Sequence, residues 1–116
     1  MIPKINKTYN CFDDGKISRS RLYTVTIKKI IPFNKASKDT LEFWKERVKE
    51  CYWLFAKETD YFIFVESDEI EENDGVLFIF VRTTDGGWFG IEDWFGSGRL
   101  DIDGKLTQIM LENEKL

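Results

Sequence analysis

Two short apolar runs constrain this chain most. Tyr61–Val65 and Val76–Val81 are apolar at every position and rich in aromatic and β-branched residues. Both are far shorter than the roughly 20 residues that a helix needs to cross a bilayer. Residues of this kind favour extended backbone. A strand that is apolar at consecutive positions must be covered on both faces. The two runs, the second extended to Gly75–Arg82, are therefore read as central strands of a sheet with something packed on each side.

The other elements arrange themselves around that pair. Lys7–Phe12 reads as a first strand, and Asp13-Asp14-Gly15 as a turn. Arg21–Phe33 gives the clearest alternation, with Tyr23, Val25, Ile27, Ile31 and Phe33 on one parity and Thr24 and Thr26 on the other. Lys29 breaks that parity, which predicts a bulge near Lys28-Lys29. Pro32 marks the strand's end or an edge. Ser37 to Phe55 reads as a helix capped by Ser37, with Leu41, Trp44, Val48, Cys51, Tyr52 and Phe55 on one face. Phe43 and Trp53 fall off that face. Asp85-Gly86-Gly87 is a turn, and Trp88–Ile91 is the return strand of a hairpin. Leu100–Ile102 is a short strand, and Leu106–Leu111 a closing helix or strand, capped in the helical case by Asp103.

The expected architecture is α+β. A mostly antiparallel, curled sheet of five to six strands packs on one main helix, in the order β-β-α-β-β-β, with a short C-terminal helix or strand. One helix cannot cover so many strand aromatics, so some curling towards a partial barrel is expected. At 116 residues, of which 42% are hydrophobic and 16% aromatic, a single domain over 1–116 can build a core without disulfides. Cys11 and Cys51 are expected to be reduced, and Met1-Ile2-Pro3-Lys4 shows no apolar leader, which points to a cytoplasmic protein with no membrane partner.

Function is constrained mainly by exclusion. The chain has no histidine, so Ser-His-Asp and Cys-His chemistry cannot be assembled within it. Two cysteines without histidine do not make a structural zinc site. Asp101-Ile102-Asp103-Gly104 has the wrong glycine spacing for a calcium loop, and Gly96-Ser97-Gly98 lacks the spacing of a phosphate-binding loop. No catalytic residue, metal or cofactor is expected. Paired carboxylates leave a small acid–base enzyme as an alternative, although nothing selects a pair.

Charge carries the positive signal. Residues 1–60 hold 13 Lys/Arg against 8 Asp/Glu, while residues 61–116 hold 4 against 13. The acidic half contains Glu66, Asp68, Glu69, Glu71, Glu72 and Asp74 within nine residues. A solvated loop between apolar strands explains such a run. It also suits an acidic patch that steers a partner with a positive groove. Trp88 and Trp94 lie in the glycine-rich stretch that follows, and tryptophans anchor interfaces. The basic pole, Lys16, Arg19, Arg21, Lys28 and Lys29, offers an alternative nucleic-acid surface. The sequence pI of about 4.9 argues against direct nucleic-acid binding.

Two stretches, Tyr9-Asn10-Cys11-Phe12-Asp13-Asp14-Gly15-Lys16-Ile17 and Gly86-Gly87-Trp88-Phe89 through Gly98-Arg99-Leu100-Asp101-Ile102-Asp103-Gly104, carry a resemblance. Together they resemble small orphan proteins of bacterial mobile genetic elements. That resemblance implies an anti-defence setting, with anti-CRISPR inhibitors among its members, and action by occupying a partner's surface. It assigns no residue roles. The resulting expectation is a non-enzymatic module that binds and modulates a larger, nucleic-acid-handling effector. Its face would be the six acids with Trp88 and Trp94.

Overall fold

The computed structural model of the chain describes residues 1–67, 78–91 and 98–115. Among the described residues, six strands run in chain order: β1 (Thr8–Asp13), β2 (Leu22–Pro32), β3 (Tyr61–Glu66), β4 (Phe78–Arg82), β5 (Trp88–Gly90) and β6 (Gly98–Asp101). Helix α1 (Lys38–Glu50) lies between β2 and β3, and α2 (Lys105–Glu114) follows β6. Every strand pairs antiparallel with its neighbour in sequence, and β6 pairs back onto β1, so the sheet is a closed barrel.

Closure corrects the expected open, curled sheet resting on one main helix. The joining register is Asn10↔Asp101, Cys11↔Leu100, Phe12↔Arg99 and Asp13↔Gly98. A side chain at position 98 would strain it, because a Cβ there would stand 2.6 Å from the Phe12 carbonyl oxygen. Pairing the first strand with the last removes both free sheet edges.

Alternation then divides the apolar residues between two cores. Tyr9, Cys11, Val25, Ile27, Ile63, Val65, Phe78, Phe80, Trp88 and Leu100 come from all six strands and fill the barrel interior. The opposite parity of β3, β4 and the β5 region (Phe62, Phe64, Ile79, Val81, Phe89, Ile91) faces outward. There it packs with Trp44, Leu41, Phe43 and Val48 of α1 and with Phe55. This accounts for the consecutive apolar residues of Tyr61–Val65 and of β4: one parity serves each core. Full burial of each such large side chain is worth about 1.5–3 kcal/mol.

The bulge lies between Ile27 and Lys29, where the β2–β3 register shifts. It reverses the parity of the strand's second half. Ile30 packs against the interior core, opposite Ile63, and Ile31 stands opposite outward-facing Phe62. The simple alternation through Ile31 and Phe33 therefore stops at the bulge.

Helix α1 is shorter than its sequence pattern. Ser37 Oγ accepts from Thr40 N at 3.2 Å, as an N-cap does. The helix ends at Glu50 because the chain beyond it joins the sheet. Phe55 bridges to Thr83, Ala56 N donates to Arg82 O, and Thr84 N donates to Leu54 O. The terminal element is helical, and Asp101 contributes more to its capping than Asp103 does. The buried Asp101 carboxylate accepts from Leu106 N at 3.2 Å and Thr107 N at 2.9 Å, while Asp103 accepts only from Lys105 N.

Residues 1–7 form a strap over one end of the barrel. Asn6 N donates to Ile27 O, and Ile27 N donates to Lys7 O, which fixes the strap's base alongside β2. Beyond that base, Lys4 N donates to the Tyr9 hydroxyl, and the Trp88 indole N–H donates to Met1 O at 3.0 Å. No helix among the described residues is long and apolar enough to cross a membrane.

Candidate functional site

Three residues of the basic pole, Arg19, Arg21 and Lys28, meet carboxylates. Arg19 makes a two-point ion pair with Glu114, at 2.8 and 3.0 Å, which holds the β1–β2 connection to α2. Arg21 lies 3.6 Å from Asp13, and Lys28 lies 3.7 Å from Glu66. Lys16 and Lys29 are exposed. Two of these contacts, Arg19–Glu114 and Lys28–Glu66, join the basic half of the sequence to the acidic half. Charges separated along the chain are thus partly paired in space.

Of the acidic candidates, Glu66 ends β3 and is exposed beside Lys28. Asp68, Glu69, Glu71, Glu72, Asp74 and Trp94 lie outside the described residues. Trp88 is not a surface anchor. It is 1% exposed and sits inside the barrel. The Arg82 guanidinium lies 4.0 Å over its ring, held there by Asp60 and the Gly86 carbonyl. An indole at an inward position of a short strand fills a narrow barrel, and that packing need overrides its value as an anchor.

A cleft of about 330 Å³ lies between the β4–β5 turn, β6 and the start of α2, lined by Asp85, Gly87, Arg99, Asp101, Asp103 and Lys105 among others. Its carboxylates already have partners. Asp85 accepts from the Thr83 hydroxyl, from Gly87 N at 3.1 Å and from Arg99 at 2.7 Å. The Thr83 hydrogen bond, followed by those from Gly87 and Arg99, holds its carboxyl below the ordinary value. A general acid at neutral pH needs the opposite shift. Asp101 is committed to the start of α2. Among the described residues, no group of three or more His, Cys, Asp or Glu is placed to hold a metal ion.

Among the described residues, the most exposed aromatic side chains lie elsewhere, in the turn after α1. Tyr52 is 72% exposed and Trp53 66%. Their rings meet edge to face, with centroids 5.5 Å apart. The turn is held by the sheet: the Thr84 hydroxyl donates to Trp53 O, and Phe55, two residues on, is buried against α1 and the barrel wall. Sequence periodicity placed Tyr52 on the buried face, because the pattern continued past the point where the helix ends. The off-face position of Trp53 was the available signal. Phe43, also off the face, packs against the outer core.

No protein-family model, curated protein or solved structure matches the chain.

Proposed function

We propose that this chain is a non-enzymatic protein-binding domain that modulates a larger partner, anchored by Tyr52 and Trp53. The exposure of this aromatic pair on a turn fixed to the barrel is the observation that carries the reading. Tyrosine and tryptophan dominate interface energetics when they enter a partner's pocket. A turn already fixed by Thr84 and Phe55 has little freedom left to lose on binding. The barrel interior is filled by its own side chains, so recognition belongs on the surface. The acidic run from Glu66 to Asp74 then serves as a steering element, raising the association rate towards a positive surface. The resemblance to mobile-element proteins places a nucleic-acid-handling defence effector first among partner classes.

The test uses the tagged full chain, its Tyr52→Ala/Trp53→Ala variant, and a variant with the six acids neutralised. A partner captured by the wild type should be lost from the aromatic variant by about thirtyfold or more, matching a hot spot of at least ~2 kcal/mol. Neutralising the acids should slow association and flatten its salt dependence. Equal capture by the aromatic variant at unchanged stability refutes the anchor.

A further inference from the structure

We infer that the end of the barrel beneath residues 1–5 is a peptide-binding site, occupied in the free chain by its own strap. Its ligand class is an extended segment that offers a backbone carbonyl, with a proline two residues further on. This site is separate from the Tyr52–Trp53 anchor, and neither reading depends on the other.

The inference starts from how differently the two parts of the strap are held. Residues 6 and 7 are tied to the β2 backbone through Ile27, at 2.7 and 3.0 Å. Asn6 has φ of +67°, a left-handed conformation that asparagine tolerates better than most residues. Lys7 N closes a turn onto Lys4 O. Beyond that turn the chain leaves the ladder, and its described hydrogen bonds from the barrel come from side chains. The Trp88 indole N–H reaches Met1 O, and the Tyr9 hydroxyl accepts from Lys4 N. Pro3, between them, is buried.

The receiving groups are preorganised. Tyr9 and Trp88 are interior residues, 7% and 1% exposed, whose polar tips meet the strap. Arg82 covers the Trp88 ring and is itself fixed by two bonds to Asp60 and one to Gly86 O. A donor and an acceptor at fixed positions recognise backbone, and the slot between them selects the proline. The strap's own larger side chains contribute little to its retention: Met1 is 74% exposed, Ile2 41% and Ile5 54%. Its release uncovers the site without breaking a strand pair, because the hinge lies outside β1. A strap in cis lowers the apparent affinity for any outside peptide by the fraction of time the site is open.

The test uses full-length protein and an acetylated, amidated peptide, Met-Ile-Pro-Lys-Ile-Asn, with the Trp88 indole N–H resonance as readout. In the Pro3→Asp variant the strap should be displaced and that resonance should shift. Titrated peptide should then return it towards its wild-type position. Wild-type protein should need at least tenfold more peptide, and a peptide carrying Asp for Pro should have no effect. A folded Pro3→Asp variant whose Trp88 resonance ignores millimolar peptide overturns the inference. If that variant does not fold, hydrogen exchange on the wild type decides. Exchange of the Trp88 indole and Lys4 amide through an opening well below global unfolding supports a displaceable strap. Exchange only with global unfolding overturns it.

Discussion

Replacing Gly98 with alanine adds one methyl group at the seam that closes the barrel. Its Cβ would lie 2.6 Å from the Phe12 carbonyl oxygen, 3.0 Å from the Phe12 carbonyl carbon and 3.1 Å from Cys11 Sγ. Ordinary C···O contacts start near ~3.3 Å, so the two strands must separate by about 0.7 Å at this point. The obstacle is backbone, which cannot rotate away as a side chain would. Overpacking of this kind costs about 1–3 kcal/mol. Losing the nearest ladder hydrogen bond adds roughly 1 kcal/mol. The expected destabilisation is therefore ~2–4 kcal/mol, or a fall in Tm on the order of 10 °C for a domain of this size. Gly86→Ala is the control. Gly86 has φ of +87° and open space around its missing Cβ, so that variant suffers backbone strain alone. Strain of this type costs about 1–2 kcal/mol. Urea unfolding of both variants should rank Gly98→Ala as the more damaging, with exchange protection lost first along β1 and β6. The closure argument fails if Gly98→Ala lies within about 0.5 kcal/mol of wild type, or if Gly86→Ala proves worse.

Two further outcomes follow from ionisation. The Asp60 carboxyl is held below its ordinary value of 3.8, first by its hydrogen bond to Arg82. A depressed folded-state value stabilises the fold above the unfolded pKa, and that contribution disappears as pH falls through the folded one. Asp60 is 47% exposed, so the gain is discounted to under ~1 kcal/mol. Urea midpoints of wild type and Asp60→Asn should differ modestly at pH 7 and converge as pH falls through that lowered value; a gap that stays constant into acid contradicts the assignment. The Cys11 thiol is pushed up to about 12, chiefly by burial, and has no exposed surface. Iodoacetamide at pH 8 should modify Cys11 only after unfolding, as read by peptide mass spectrometry. Modification of native protein at the unfolded rate would show that the barrel interior is open.

Local pattern determined the elements of this protein. The alternation in β2, the Ser37 cap, the break at Lys28-Lys29 and the doubly apolar runs of β3 and β4 each reflect forces acting within a few residues. Tertiary structure decided what these elements enclose. Barrel closure rests on a contact between residues 12 and 98, which no periodicity encodes, and it turned the expected open sheet into a sealed one. The end of α1 was set by the pairing of Phe55 with Thr83, which released Tyr52 from the buried face and left Trp53 in solvent. Trp88 went the other way, because an inward position on a narrow barrel needs a large side chain. The charge split along the sequence was softened when Arg19 met Glu114 and Lys28 met Glu66. Hydrophobic periodicity is a short-range signal. Which surface remains exposed depends on long-range pairings, and these exist only once the chain has closed on itself.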